Sequence, residues 1–332
     1  MSRLDLLVVG AGPTGIAIGA AGVKEDLDLL LVERGTLCDA IRRYPTDLEF
    51  FTTRELLEIA DIPFTIAEAK PTRRQVLAYY REVTRSYDLP LALHEEVTEI
   101  GPRPGDGFEV STRARTGERS YRARAVALAS GYFGRPRRLG VPGEDRPWVS
   151  SRYREPYGHF GDRVLVVGAG NSAVETALEL FRWGAEVTMV HRGGEIKEGV
   201  KYWLRPDIRN RIHEGSIRML WNSEVVAFDE TGARIRSPDG ENHLAVDAAY
   251  VLIGYLPELG LAERAGVAID PETLQPEVDL QTLESNVPGF YIAGTLIAGR
   301  FTDRIFIENS RDHGPRIVED LVKKLRIEAP LA

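Results

Sequence analysis

Two stretches of the chain share one pattern, in which a short apolar run leads into a glycine turn and then into apolar positions at helical spacing. The first has the run 4–9, a turn that begins at Gly10 and an expected helix over 14–23. The second has the run 163–167, a turn that begins at Gly168 and an expected helix over 171–183, with Gly184 as its stop. A further apolar run follows each helix, at 28–32 and 186–190. The pattern therefore predicts two βαβ units, one in each half of the chain.

The remaining segments indicate how the two units are joined. Residues 108–129 alternate in places and carry turn residues, which predicts antiparallel strands. Prolines and glycines mark a connection over 132–150, and a second crossing follows 249–254. Residues 315–325 read as an amphipathic helix with Pro315 in its first turn. We therefore expect an α/β fold with two Rossmann-like dinucleotide-binding domains. The second domain (135–255) is inserted into the first (1–134 and 256–332).

Length, charge and cysteine usage narrow the class of protein. The 332 residues are long for one domain and ample for two. A net charge of −8 argues against a nucleic-acid-binding protein, because such proteins need a basic domain or stripe. The single cysteine, Cys38, excludes an intramolecular disulfide and a zinc site of several cysteines, and no metal is expected. We find no signal peptide and no run of 18 apolar residues, so we expect a cytoplasmic protein with no membrane contact.

The first glycine turn predicts an FAD site. Its glycines have separate roles: Gly10 permits the tight turn, Gly12 lets the backbone approach a pyrophosphate, and Gly15 lets helix and strand pack closely. Glu33 closes the second strand, where a carboxylate binds ribose hydroxyls and repels a 2′-phosphate. The site therefore favours an unphosphorylated adenosine ribose, as in FAD or NAD. The candidate residues of the turn are Gly10, Gly12, Pro13, Thr14 and Gly15.

The second glycine turn predicts an NADPH site. Where the first unit ends in Glu33, this one ends in His191 and Arg192, and a guanidinium grips a 2′-phosphate bidentately. Lys197 and Lys201 add positive charge. The alternative is an ordinary polar strand end. The turn itself consists of Gly168, Gly170, Asn171, Ser172 and Ala173.

A chain with one FAD-type and one NADP-type site is expected to be an enzyme. Its purpose would be to bring nicotinamide and flavin together for hydride transfer, with the cofactors supplying the redox chemistry.

The chain resembles the two-dinucleotide-binding flavoproteins related to thioredoxin reductase and, among them, the YpdA family of bacillithiol disulfide reductases. The strings that carry the resemblance run from end to end: YPT at 44–46, FF at 50–51 with ELLEIADIPF after it, KPTRRQVLAYYREV at 70–83, LGVPGED at 139–145 and IFIENSRDHG at 305–314. The family implies FAD, NADPH and a homodimer.

The resemblance also implies further FAD contacts. Ala129-Ser130-Gly131 is similar to the crossing motif between the domains, and Tyr291-Ile292-Ala293-Gly294 is similar to the C-terminal FAD motif. Thr295 stands where that motif usually has an Asp that binds the ribityl chain. We also expect Arg34, Val97 and Ile305 in the FAD site.

Two departures bear on the mechanism. Residues 148–162 contain no cysteine, so the CxxC relay of thioredoxin reductases is excluded. The YpdA family usually has a cysteine at the position of Thr14, and a hydroxyl cannot form a mixed disulfide. The catalytic residues stay undetermined, with His313, Cys38 and Tyr44 as candidates. Phe50 and Phe51 are either flavin neighbours or ordinary packing, and the cluster Lys70, Arg73 and Arg74 either attracts an acidic thiol or is a solvated surface.

The leading function is reduction of a low-molecular-weight thiol disulfide such as bacillithiol disulfide, without a CxxC relay. The alternative is electron transfer to a protein acceptor, as in ferredoxin–NADP reductases of the same fold. A flavin monooxygenase is less favoured, because the segment before Gly168 lacks the Phe-x-Gly-x-x-x-His signature. A sensor that binds both cofactors without turnover is disfavoured by the absence of any added partner module.

Overall fold

The computed structural model describes residues 3–328, which divide into two compact units. The first unit comprises the described residues up to Arg135 and those from Leu256 onward, and the second is the continuous segment Pro136–Tyr255. Residues 1, 2 and 329–332 of the expected first domain lie outside the described residues.

The chain alternates strands and helices within both units. The strands are β1 (Leu4–Val9), β2 (Leu29–Glu33), β3 (Leu91–Leu93), β4 (Glu95–Arg103), β5 (Gly107–Ala114), β6 (Gly117–Leu128), β7 (Arg135–Pro136), β8 (Val149–Ser150), β9 (Arg163–Val167), β10 (Glu186–Val190), β11 (Arg218–Leu220), β12 (Glu224–Phe228), β13 (Gly232–Ser237), β14 (Gly240–Ala245), β15 (Ala248–Val251), β16 (Tyr255–Leu256) and β17 (Phe290–Ile292). The helices are α1 (Pro13–Lys24), α2 (Asp39–Arg42), α3 (Arg54–Leu57), α4 (Arg73–Ser86), α5 (Asn171–Arg182), α6 (Leu204–His213), α7 (Gly260–Arg264) and α8 (His313–Glu328). Short 3₁₀ turns cover Tyr157–His159 and Gly294–Ala298.

One long strand organises the sheet of the first unit. The N-terminal part of β6 pairs with β5, and β5 pairs with β4, in an antiparallel meander. The C-terminal part of β6 lies between β1 and β17, and both of these pairings are parallel. β2 and then β3 extend the parallel part beyond β1. The glycine turn after β1 therefore leaves the carboxyl edge of a parallel sheet, where open α/β folds bind dinucleotides.

Helices α1 and α8 pack closely on each other. A Cβ on Gly314 would lie 2.5 Å from the backbone of Ala17, so only glycine allows this approach. A network on the far part of α8 ties the helix to β17: the Tyr291 hydroxyl donates to Asp320 Oδ2 at 2.7 Å. Lys324 Nζ lies 2.5 Å from the same carboxylate. The start of α8 is thereby fixed against the first turns of α1.

The second unit has its own sheet and core. Its parallel strands follow the order β11-β10-β9-β15-β8, and β12, β13 and β14 form a separate antiparallel sheet. Apolar clusters include Val166, Val174 and Met189 in one group, and Leu165, Phe228 and Ile235 in another. The first and last segments of the unit are adjacent, because Arg137 N–H donates to the Gly254 carbonyl at 2.9 Å.

The predicted fold class is confirmed: the fold is α/β, with two units that each contain a Rossmann-like parallel βαβ arrangement. The expected strands 4–9 and 186–190 coincide with β1 and β10. The last helix begins at His313 rather than at Pro315. The first helical turn tolerates proline there, because its N–H groups have no partner within the helix.

Candidate functional site

The first glycine turn has the close contacts that its glycines were expected to permit. A Cβ on Gly10 would lie 2.7 Å from the Ala129 carbonyl oxygen, and one on Gly15 would collide with the Gly10 carbonyl. A Cβ on Gly12, by contrast, would meet nothing within 4 Å. The backbone at Gly12 therefore faces open space at the N-terminus of α1, where free N–H groups and the helix dipole suit a pyrophosphate.

Glu33, which is expected to bind the ribose, also holds the glycine turn. Its carboxylate accepts the Ala11 N–H at 3.1 Å and the Gly35 N–H at 2.7 Å. Cys38 reaches the same turn through its backbone, donating its N–H to the Ala11 carbonyl at 3.0 Å. The residues on either side of the expected ribose site are thus fixed by hydrogen bonds within the protein itself.

The crossing motif and the C-terminal motif lie together beside this turn. A Cβ on Gly294 would lie 2.8 Å from Thr14 Oγ1, and one on Gly131 would lie 3.7 Å from Thr295 Oγ1. The hydroxyl oxygen of Ser130 is buried and has no hydrogen-bond partner within residues 3–328. A buried hydroxyl without a partner is costly, so it fits a position that a bound polar group completes. These residues fit the ribityl and flavin part of FAD.

His313, the first residue of α8, is part of the same cluster. It is 3% exposed, and its Nδ1 accepts the Gly294 N–H at 3.0 Å. Burial lowers the pKa of His313 to about 4. The imidazole is therefore neutral at pH 7 with its proton on Nε2, so it contributes no positive charge to this cluster.

The three other residues expected in the FAD site, Arg34, Val97 and Ile305, have different surroundings. Arg34 forms a bidentate ion pair with Glu258, with nitrogen–oxygen distances of 3.1 and 3.0 Å. Val97 is 8% exposed and belongs to the apolar cluster that also contains Val9 and Val32. Its side chain is therefore engaged in packing. Ile305 is partly buried in the segment before α8.

Cys38 does not fit a catalytic role. The thiol is 1% exposed, and burial together with the charge of Glu33 raises its pKa. A thiol that does not ionise is neither a nucleophile nor a metal ligand. Tyr44 packs against Phe50 at 6.2 Å and against Phe133 at 4.8 Å between ring centroids. This contact, with Phe50 itself 7% exposed, favours packing over a catalytic role.

Four of the five strings that carry the YpdA resemblance, all of them in the first unit, contact each other although they are far apart in sequence. Phe51 packs edge-on against Phe306 at 5.6 Å, and Arg311 donates to the Glu55 carbonyl at 2.8 Å. Arg73 ties the segment before Phe50 through bonds to the carbonyls of Arg42 (2.7 Å) and Thr46 (3.3 Å). The guanidinium of Arg73 is thus a structural group rather than a free charge for substrate.

Three tyrosines of the α4 region hold the loop that follows α3. Ala60 and Asp61 both have φ of 57°, a left-handed conformation that is unfavourable for residues other than glycine. The tyrosine hydroxyls donate to carbonyls of the last residue of α3 and of the loop: Tyr80 to Leu57 at 3.0 Å, Tyr87 to Ala60 at 2.7 Å and Tyr79 to Ile62 at 2.7 Å. This role was missed from the sequence, although the paired tyrosines on one helix were a signal for it.

The second glycine turn repeats the arrangement of the first. A Cβ on Gly170 would meet nothing within 4 Å, so the start of α5 also faces open space. Asn171 latches the segment 199–201 onto this start: its amide donates to the Gly199 carbonyl at 3.0 Å and accepts the Lys201 N–H at 2.9 Å. Ser172 and Ala173 continue the first turn of α5.

The cations at the end of β10 are not equivalent. Lys201 forms an ion pair with Glu175 at 2.6 Å, so its charge is already engaged, contrary to the expectation that it adds charge to the site. Arg192 and Lys197 are exposed and form no ion pair with any other residue that the structure describes. Burial, and then the charges of Lys197 and Arg192, lower the pKa of His191. The group fits a 2′-phosphate. Trp221, beside His191, was missed from the sequence, although an aromatic directly after an apolar run was its signal.

The two turns and their carboxyl-edge placement define a flavoprotein reductase with two dinucleotide sites, and comparison with known proteins makes this specific. The family described as pyridine nucleotide-disulphide oxidoreductase matches residues 7–294. The bacilliredoxin reductase Bdr of Bacillus subtilis is 35% identical over 327 residues, 98% of this chain and 99% of the relative.

A solved structure of bacillithiol disulfide reductase Bdr (YpdA) from Bacillus cereus superimposes with a TM-score of 0.94 at 33% identity, covering 97% of this chain and 100% of that one. A ferredoxin–NADP reductase of Ignicoccus hospitalis is 26% identical over 303 residues, 88% of this chain and 90% of the relative. The chain belongs to the pyridine nucleotide-disulphide oxidoreductase family and, within it, to the Bdr (YpdA) family. It is an oxidoreductase that uses FAD and NADPH.

Within residues 3–328, no helix has the length and apolar character needed to span a membrane. Among the same residues, no group of three or more His, Cys, Asp or Glu side chains is placed to hold a metal ion.

Proposed function

We propose that this enzyme reduces a low-molecular-weight thiol disulfide of the bacillithiol disulfide type at the expense of NADPH, with no protein thiol taking part. The observation that carries the proposal is the resemblance to Bdr over nearly the whole of both chains. The single cysteine is buried with a raised pKa, so a thiol relay is not available within the chain.

In this proposal FAD binds the first unit and NADPH the second. Support for the first assignment comes from Glu33, the open space at Gly12 and the hydroxyl of Ser130, which has no partner among the described residues. Support for the second assignment comes from the open space at Gly170 and from the side chains of Arg192 and Lys197. Neither side chain has a carboxylate partner among residues 3–328. The protein contributes binding and orientation, while the cofactors supply hydride and electron transfer.

The overall reaction is balanced without any protein thiol. A hydride from NADPH supplies two electrons and one proton, and solvent supplies the second proton. The sulfur–sulfur bond breaks, and each sulfur leaves as a thiol. Neutral His313, with Nδ1 occupied by the Gly294 N–H, positions the C-terminal motif and adds no charge to this cluster.

An anaerobic experiment tests the proposed acceptor. The flavin of the holoenzyme is reduced with one equivalent of NADPH, bacillithiol disulfide is added, and the absorbance of oxidised flavin is followed. We expect recovery of the absorbance, at the same rate in Cys38→Ala, because that thiol is inert. Absence of recovery with the disulfide, and rapid recovery with ferredoxin, would instead establish electron transfer to a protein. That second candidate is supported by the ferredoxin–NADP reductase relative and by the lack of a reactive thiol.

The preference for NADPH over NADH is tested at Arg192. Arg192→Glu places a carboxylate where we propose the 2′-phosphate binds, so the KM for NADPH should rise at least roughly ten-fold while the KM for NADH is unchanged or falls. Lys201→Gln is the matched control, because Lys201 already pairs with Glu175. An equal effect of Arg192→Glu on both nucleotides would contradict the assignment.

We also propose that the enzyme is a cytoplasmic homodimer, as the Bdr (YpdA) family resemblance implies. Light scattering coupled to size-exclusion chromatography of the holoenzyme tests the dimer. A monomer at micromolar concentration would refute it.

A further inference from the structure

The ends of two neighbouring parallel strands bring His191 and Trp221 together. β10 ends at Val190 and β11 ends at Leu220, so both rings leave the carboxyl edge of the sheet. Their centroids are 6.4 Å apart and the ring planes are at 78°. Pairing continues past the strand ends, since His191 N–H donates to the Leu220 carbonyl and Ser223 N–H donates to the His191 carbonyl, both at 3.0 Å. The two loops are therefore held as one surface.

Gly193 lets this surface stay compact. Asn222 N–H donates to the Gly193 carbonyl at 3.1 Å, which ties the loop after β10 to the loop after β11. A Cβ on Gly193 would lie 3.0 Å from His191 Nε2, so a larger residue would press on the imidazole. The position of the His191 ring, and with it the space beside Trp221, depends on this glycine.

The surface is also framed by cations that lack carboxylate partners. Arg192 and Lys197 form no ion pair in the described part of the chain, and Lys197 N–H donates to the Ala169 carbonyl of the glycine turn at 3.3 Å. An adenosine 2′-phosphate presents one strongly anionic group and one flat aromatic base. Two such cations near His191, together with the partly buried indole that packs against the same imidazole, match both.

We propose that the indole of Trp221 is the surface on which the adenine of NADPH stacks. The inference rests on the proposed assignment of NADPH to the second unit and is independent of the electron acceptor. In a βαβ dinucleotide site the pyrophosphate lies at the helix N-terminus and the adenosine ribose at the end of the second strand. The base then extends beyond β10, toward the neighbouring strand β11 and its following residue, Trp221.

A second aromatic pair in this unit is the natural control. Tyr202 is 80% exposed and Trp203 is 42% exposed, with ring centroids 5.0 Å apart. The bonds of Asn171 to Gly199 and Lys201 pin the preceding segment to the first turn of α5. This pair is therefore attached to the end of the site where the pyrophosphate is expected, and not to the end where the ribose is expected.

The test is titration of 2′,5′-ADP into the FAD-loaded enzyme, followed by tryptophan emission and by calorimetry. We expect the ligand to quench the emission of the wild-type enzyme and of Trp203→Phe, and we expect Trp221→Phe to lose the quench while still binding. Trp221→Ala should bind 2′,5′-ADP roughly ten-fold more weakly, as expected when a stacking ring is removed. Binding of reduced nicotinamide mononucleotide, which has no adenine, should be the same in all four proteins.

Three outcomes would overturn the inference. A quench that persists in Trp221→Phe and disappears in Trp203→Phe would place the adenine on the Tyr202–Trp203 pair. Unchanged affinity in Trp221→Ala, with wild-type circular dichroism and melting temperature, would show that the indole contributes nothing. Failure of 2′,5′-ADP to bind the wild-type enzyme would refute the assignment of NADPH to this unit itself, and so is distinguishable from the other two.

Discussion

At the scale of single residues, the decisive feature is the contrast between Thr14 and Cys38. Thr14 lies in the first turn of α1 against Gly294, partly exposed, where the helix N-terminus would lower the pKa of a thiol. Cys38, the one real thiol, is buried with a raised pKa. The position that would activate a thiol is therefore occupied by a threonine, while the cysteine lies where its thiol is unreactive.

This contrast predicts the outcome of mass spectrometry after incubation with excess disulfide. The wild-type enzyme should show no covalent thiol adduct under native conditions, and Thr14→Cys should show one. The matched control is Thr14→Cys combined with Cys38→Ala, which should give the same single adduct. An adduct on Cys38 of the native wild-type protein would contradict the buried position of that thiol.

His313 predicts a pH dependence of stability. Its pKa is about 4 in the folded protein, below the ordinary value of 6.5, so the unfolded chain binds the proton first as the pH falls. The stabilisation of the folded enzyme by neutral His313 is complete above pH 6.5. As the pH falls from 6.5 to 4, the unfolding free energy decreases progressively, by up to about 3 kcal/mol.

The comparison is with His313→Asn, whose side-chain oxygen can still accept the Gly294 N–H but does not titrate. The difference in unfolding free energy between wild type and variant, from urea titrations at several pH values, should shrink as the pH is lowered from 7 to 4. A difference that is constant over this range would mean that His313 is already protonated or not buried in the folded enzyme.

At the scale of elements, side-chain hydroxyls rather than apolar contacts alone fix a strained loop. The loop after α3 places Ala60 and Asp61 in the left-handed region, and the tyrosines of the α4 region bind carbonyls of this loop and of the end of α3. The sequence string 70–83 indicated only the family resemblance and a basic cluster, and α4 itself was not predicted. The cross-element hydrogen bonds were not predicted either, because they depend on where a loop carbonyl points.

Two matched substitutions compare a tyrosine hydrogen bond to a buried carbonyl with one to a partly exposed carbonyl. Tyr80→Phe leaves the Leu57 carbonyl buried without a partner and should lower the unfolding free energy by about 1–3 kcal/mol. Tyr87→Phe affects a partly exposed carbonyl that water can reach, so its cost should stay below about 1 kcal/mol. Urea unfolding measures both, and equal costs would argue against the role of burial. Hydrogen exchange over residues 57–62 should rise more in Tyr80→Phe.

At the scale of the whole molecule, the sequence predicted the two βαβ units, their glycine turns and the fold class. These features depend on local periodicity and on turns that only glycine can form, as at Gly10 and Gly15. What escaped prediction are contacts between distant positions, such as Arg34 with Glu258 and His313 with Gly294. Nothing in the local sequence encodes such a pairing. The engagement of Lys201 by Glu175 is of the same kind, since charge alone does not reveal a partner.

The second unit should fold on its own. It is one continuous segment with its own apolar clusters, and its first and last parts are joined at Arg137 and Gly254. We expect residues 136–255, expressed alone, to unfold cooperatively on heating and to bind 2′,5′-ADP with an affinity close to that of the holoenzyme. A non-cooperative melt monitored by circular dichroism would show that the segment depends on the rest of the chain.

The long strand β6 has a consequence for synthesis on the ribosome. Its C-terminal half needs β17 on one side, and α1 needs α8, yet both partners are made only after the whole second unit has emerged. The nascent chain therefore carries an exposed strand edge and an uncovered helix face for the time needed to translate well over a hundred residues, at about 5–20 residues per second. The domain that is begun first is completed last, and with the proposed assignment of FAD to this unit the cofactor would be captured only near the end of translation.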